Sequence, residues 1–161
     1  MAIRKKESSK KQQYKVGQIV AIPLPDHKFA YAKVFNNFDL GVYDFLSDEI
    51  EPLERVIKNK FLYFNAVTDR AIKGGTFLVI GEEPFPDEEL GWAPPMASGV
   101  FPGDPDVRTL HIDHKGTSRW VTPQEAAGMD IRDFSQRPEL FVEDIVDRLV
   151  KGNHQKYRVS T

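Results

Sequence analysis

His111, Asp113 and His114 form the one cluster in this sequence with the donor types of a metal centre. On a strand, His111 and Asp113 share a face and His114 points away, so the three converge only if the chain bends between them. Asp113-His114-Lys115-Gly116 supplies a bend. With Asp first and Gly last, however, it has the composition of an ordinary hairpin turn, which asks nothing of the histidine. We expect hairpin chemistry here and no metal. His27 and His154 stand apart, in a turn and near the C-terminus. Nucleophilic catalysis finds no support either. There is no cysteine, and no serine sits in a G-x-S-x-G elbow. Gly17, Gly41 and Gly74-Gly75 build neither a Walker loop nor a dinucleotide fingerprint. Carboxylates cluster at Asp48-Glu49 with Glu51 and at Asp87-Glu88-Glu89. Nothing in their spacing sets a pair across a cleft, and a solvated acidic run accounts for them. The sequence therefore predicts no catalytic residue and no cofactor.

What these residue types do offer is a surface. Tyr31, Tyr43 and Phe45 supply aromatic anchors, and Asp26, Asp44, Asp48, Glu49 and Glu51 supply negative charge around them. Large aromatics in a small domain commonly serve the core. On a surface, tyrosine is a favoured anchor, and surrounding acid speeds capture of a basic partner. These eight residues are the candidate binding face.

The elements that must position them are mostly strands. Ile19–Ile22 is a β-branched run that the cluster Pro23-Leu24-Pro25-Asp26 is expected to stop. Phe29–Phe35 alternates, with Phe29, Tyr31, Lys33 and Phe35 on one side and Ala30, Ala32 and Val34 on the other. Both faces are therefore largely apolar, which suits a curled sheet or small barrel. Asn36-Asn37 turns the chain, and Leu40–Phe45 returns as a third strand. Ile50, Leu53, Val56 and Ile57 fall at helical spacing behind Ser47 and an acidic first turn. Phe61–Val67 and Phe77–Ile80 read as further strands, with a turn of helix between them over Thr68–Lys73.

Residues 82–106 hold six of the eleven prolines and read as an irregular loop, with Phe85, Trp92 and Phe101 to pack it down. Beyond it, Arg108–Ile112 and Thr117–Val121 form a hairpin, and Thr122-Pro123-Gln124-Glu125 has the pattern of a capping box. Pro138 opens a final helix with Phe141, Val142, Ile145, Val146, Leu149 and Val150 as its apolar stripe and Gly152 as its end. The expected class is α+β: a strongly curved, mostly antiparallel, barrel-like sheet with short helices and a C-terminal amphipathic helix.

Length and charge set the remaining bounds. The 161 residues suit a single domain, here 14–161 behind a disordered basic tail at 1–13. The tail carries Arg4, Lys5, Lys6, Lys10 and Lys11 against Glu7, a net +4, so the overall −2 leaves −6 on the remainder. That acidity argues against nucleic acid as a partner of the domain. Apolar runs are far shorter than the roughly 20 residues of a spanning helix, no signal peptide is visible, and the expected location is the cytoplasm.

The opening Lys15-Val16-Gly17-Gln18-Ile19-Val20-Ala21-Ile22-Pro23-Leu24-Pro25-Asp26, followed by Phe29-Ala30-Tyr31-Ala32-Lys33-Val34, resembles the first block of the immunity protein 26 family. Val42-Tyr43-Asp44-Phe45 and Gly75-Thr76-Phe77-Leu78-Val79-Ile80-Gly81 are similar to its later blocks, with Phe77 where a tryptophan is usual. The resemblance spans roughly residues 15–85. It implies a bacterial immunity protein of a polymorphic toxin system that binds a cognate toxin domain stoichiometrically, without a cofactor. Many nuclease toxins present basic clefts, which an acidic inhibitor complements. The resemblance also carries an enzymatic alternative, hydrolysis of phosphotriesters, for which His111, Asp113 and His114 are the candidate residues. A third reading is an SH3-like peptide-binding domain.

Overall fold

The computed structural model describes residues 11–98, 109–112, 117–126, 131–132 and 137–153. Its centre is a five-stranded antiparallel sheet built from β1 (Gln18–Leu24), β2 (Lys28–Val34), β3 (Asp39–Ser47), β4 (Phe61–Ala66) and β5 (Leu78–Glu82), in the order β4-β3-β2-β1-β5. A short helix, α1 (Leu53–Val56), joins β3 to β4, and another, α2 (Arg70–Lys73), joins β4 to β5. A second sheet holds β6 (Met96–Ser98), β7 (Thr109–Ile112), β8 (Ser118–Val121) and β9 (Ile131–Arg132), with β6 and β9 parallel. Between β8 and β9 lies α3 (Pro123–Ala126), where Thr122 Oγ1 accepts from the Glu125 N–H at 3.2 Å. The described chain closes with α4 (Pro138–Ile145).

The central sheet is buried on both faces, as the double apolar pattern of β2 requires. Ala30, Ala32 and Val34 join Val20, Ile22, Leu40 and Val42 in one core, covered by Ile72, Phe77 and the α4 residues Phe141 and Ile145. Tyr31 joins Ile19, Ala21 and Tyr43 in the other, covered by Leu53, Val56 and Ile57 around α1. The expected barrel does not form: β4 and β5 are edges that never pair, so the sheet is open. Helices and loops hide the two apolar faces, and closure is not needed to do it.

Three further expectations change. Pro23 does not stop β1, because it lies beyond the reach of β5, whose pairing covers only Gln18–Ala21; the missing N–H costs no ladder bond on that side. The helix expected from Ile50 onward begins only at Leu53, after Pro52, and the residues before it are taken by a loop. The C-terminal stripe is also broken: α-helical bonding ends at Ile145, the next turn widens so that the Lys151 N–H reaches the Val146 carbonyl, and Arg148 is buried while Val150 is 48% exposed. Arg148 lies over the Tyr63 ring at 4.0 Å, a cation–π contact that compensates a buried guanidinium.

Gly41 is a packing site. Phe35, Phe61 and Phe64 crowd over it with ring centroids 5.0–5.4 Å apart, and a Cβ placed there would stand 2.8–2.9 Å from all three rings. Gly41→Ala is therefore expected to destabilise the fold by about 1–3 kcal/mol through overpacking, read as a lower urea midpoint at unchanged slope.

Candidate functional site

The acidic face is organised around one buried hydroxyl. Tyr31 is fully buried on β2, its ring 5.5 Å from that of Phe45, and its oxygen emerges beneath the segment between β3 and α1. There it accepts from the Glu51 N–H at 2.9 Å and lies 2.6 Å from Ser47 Oγ, which in turn donates to the Glu49 carbonyl at 2.6 Å. With each proton used once, the relay runs from Glu51 N–H to Tyr31, from Tyr31 to Ser47, and from Ser47 to Glu49. Buried polar atoms need partners, and here the partners belong to a loop that thereby acquires one conformation.

The loop presents Asp48, Glu49 and Ile50 to solvent, with Ile50 46% exposed. Asp48 pairs with Lys28 at 3.4 Å, and Glu51, half-buried, pairs with Arg55 at 3.0 Å. Glu49 makes no ion pair among the described residues. Asp26 tips the β1–β2 turn at φ 64°, at the same end of the sheet, because Leu24 pairs with Lys28 and Phe29 with Ser47. Asp44 is exposed on a bulged stretch of β3: between the Ala30–Leu46 and Ala32–Val42 pairs, β3 advances four residues while β2 advances two.

Two of the expected anchors lie elsewhere. Tyr31 and Tyr43 are core residues, 0% and 2% exposed, because the face they share is covered by α1 and its flanks. Neither ring is available to a partner; Tyr31 positions the face instead. Tyr43 stacks on Phe61 with centroids 4.6 Å apart. Phe45 is half-buried, so Ile50 is the most exposed apolar side chain of the loop. Sequence reasoning placed Ile50 on a helix and missed it.

Reasoning from sequence also missed the helical contribution. Glu143, Asp144 and Asp147 of α4 and its last turn line a cleft of about 380 Å³ together with Pro25, Val142, Val146 and Lys151. Their i, i+1, i+4 spacing is readable as one helix face, and Pro25 brings that face beside the Asp26 turn.

Among the described residues, no group of three or more His, Cys, Asp or Glu side chains is placed to hold a metal ion. His111 stands on β7 opposite Arg119, whereas Asp113 and His114 lie outside the described residues. No described helix is long and apolar enough to cross a membrane.

The model of the immunity protein 26 family matches residues 15–97. The chain belongs to that family. No curated protein and no solved structure matches it significantly. The family match contains all five strands of the central sheet, the Tyr31 relay and the acidic loop, whereas α4 lies beyond it. The acidic loop is thus part of the matched portion, whereas the α4 carboxylates lie outside it, and Asp144 accepts from Asn65 Nδ2 at 3.3 Å, beside Leu40 at the other end of β3.

Tyr31→Phe keeps the ring and removes the relay. The expected outcome is an intact fold, a loss of about 1–3 kcal/mol and faster amide exchange at Glu51. Alkaline pH tests the two phenols. Burial, with Glu83 second, raises the Tyr43 phenol well above its ordinary value, and burial, with Asp39 and Asp69, raises that of Tyr14. Both ionise near pH 10 when unfolded but stay protonated when folded, so stability is full below about pH 10 and falls as pH rises above it. The urea midpoint is expected to drop between about pH 9 and pH 11, and Tyr43→Phe to flatten that drop.

Proposed function

We propose that this chain neutralises a bacterial toxin domain in the cytoplasm by binding it one-to-one through the acidic end of the central sheet, and that the surface it meets is basic. The observation that carries the reading is the Ser47–Glu51 loop, fixed from beneath by Tyr31 and presenting Asp48 and Glu49 around an exposed Ile50. A loop already held in one conformation loses little entropy on binding, which is how a small face reaches high affinity. Its carboxylates accelerate encounter with a cationic surface, and an exposed aliphatic side chain among them gives that encounter an apolar centre to desolvate. Asp26 and Asp44 extend the negative rim on either side. Membership of an immunity-protein family supports a toxin as the partner.

The test pairs this chain with the toxin domain encoded beside its own gene, following growth rescue and co-elution. A one-to-one complex with rescue supports the reading, and absence of both overturns it. Within the complex, charge reversal by Asp48→Lys with Glu49→Lys is expected to slow association at low salt by about tenfold or more, with a smaller change in dissociation. Ile50→Ala is expected to act on the other rate, raising dissociation with little change in association. An association rate that ignores both charge reversal and salt removes the electrostatic part of the proposal.

A further inference from the structure

Lys33 is a buried charge that the toxin-binding reading does not use. Its side chain is 6% exposed, and its ammonium lies 3.4 Å from Glu83 Oε1 and 4.1 Å from the centre of the Phe85 ring. Both partners come from the first residues after β5, at the start of the proline-rich stretch. Phe85 also packs on Phe35, with ring centroids 4.8 Å apart, and so adds a fourth ring to the cluster over Gly41. An ammonium taken out of water needs an opposite charge and a polarisable neighbour. Lys33 therefore holds this segment against the sheet.

Little else holds it. Among the described residues, the backbone of 83–92 meets the rest of the fold through two bonds, one at each end. The Glu83 N–H donates to the Gly17 carbonyl at 2.9 Å, and the Gly91 carbonyl accepts from the Asn36 N–H at 2.8 Å. Between them the turn closes on itself, with Asp87 Oδ1 accepting from the Leu90 N–H at 3.3 Å, and Asp87, Glu88, Glu89 and Leu90 are exposed. Two polar atoms of the segment, Glu83 Oε2 and Trp92 Nε1, are buried without a hydrogen-bond partner. Closure desolvates both with no compensation, so it gains at Lys33 and loses at these two atoms. Few backbone bonds and an exposed middle mark a segment whose opening costs less than global unfolding. Pro84 and Pro86 fix φ at two of its positions, which favours movement in one piece over fraying.

We propose that residues 83–92 are a strap that opens and closes as a unit while the five-stranded sheet stays folded, and that the contact of Lys33 with Glu83 and Phe85 is its latch. Closed, the strap covers the Lys33 ammonium and one side of the Phe35 ring. Open, it turns both into surface, a cation beside an aromatic ring. The competing account makes the segment an integral part of the core, released only when the whole sheet unfolds. Asn36 separates the two. It follows Phe35, whose N–H is bonded to the Asp39 carbonyl at 2.8 Å within the β2–β3 turn, but its own N–H is bonded to the strap.

The test is amide hydrogen exchange of the full chain, read residue by residue by NMR at several low urea concentrations. The Asn36 and Glu83 amides, bonded at opposite ends of the strap, are expected to share one opening free energy with a shallow urea dependence. The ladder amides of β1 and β2 are expected to exchange far more slowly and with the steep dependence of global unfolding. Glu83→Gln keeps the shape, removes the charge, and is expected to speed exchange at Asn36 by about tenfold or more. Phe85→Leu keeps an apolar contact without the ring, and is expected to speed it by about twofold to fivefold. Tyr31→Phe weakens the sheet elsewhere and is expected to leave exchange at Asn36 unchanged, because the strap opens without breaking that relay. A steep urea dependence at Asn36, or acceleration there by Tyr31→Phe, shows release by global unfolding and overturns the proposal. Different opening free energies at Asn36 and Glu83 overturn the single unit, and indifference of Asn36 to both Glu83→Gln and Phe85→Leu overturns the latch. No arm involves a toxin, so failure here leaves the toxin-binding reading untouched.

Discussion

A sheet buried on both faces leaves no place for a polar side-chain tip except at its margins, and β2 obeys this twice. Tyr31 is wholly buried, yet its hydroxyl reaches the segment after β3 and finds Ser47 and the Glu51 N–H. Lys33, 5% exposed, sends its ammonium to Glu83 at 3.4 Å and over the Phe85 ring at 4.1 Å. In both cases the cost of an unsatisfied buried group is avoided by recruiting a segment that has little regular structure of its own. The acidic loop and the start of the proline-rich stretch therefore sit where the core's polar tips dictate. Two surface segments are thereby tied to two residues inside.

Much of the central sheet was legible because its signals are local. The alternation in β2 divided Ala30, Ala32 and Val34 from Phe29 and Tyr31, and those two sets face the two cores. Alternation reports the side on which a residue points, not what covers that side. Phe141 and Ile145, which hide one face, come from more than a hundred residues further along the chain, so two apolar faces were read as a barrel when they were the inside of a three-layer arrangement. The same limit exposed Tyr31 and Tyr43 on paper.

Local signals failed elsewhere because a distant group outbid them. Ile50, Leu53, Val56 and Ile57 have helical spacing, but Pro52 and the bond from the Glu51 N–H to Tyr31 favour a loop up to Leu53. That substitution of loop for helix is what turns Ile50 outward. Of the candidate site, the acidic residues were legible from composition, whereas their apolar centre and their support were not. Each depends on a contact between β2 and residues about twenty positions later.

Charge is the quantity that the linear sequence averaged away. A total of −2 describes neither end of the molecule: Asp26, Asp48 and Glu49 gather where β2 begins, whereas beyond where it ends Lys15 and Lys73 are matched by Glu82 and Asp69. Antiparallel hairpins alternate their turns between the two ends of a sheet, so residues close in sequence are sent to opposite poles. At close range the acidic end presents its own sign to whatever approaches, since screening over about 8 Å hides the rest of the molecule.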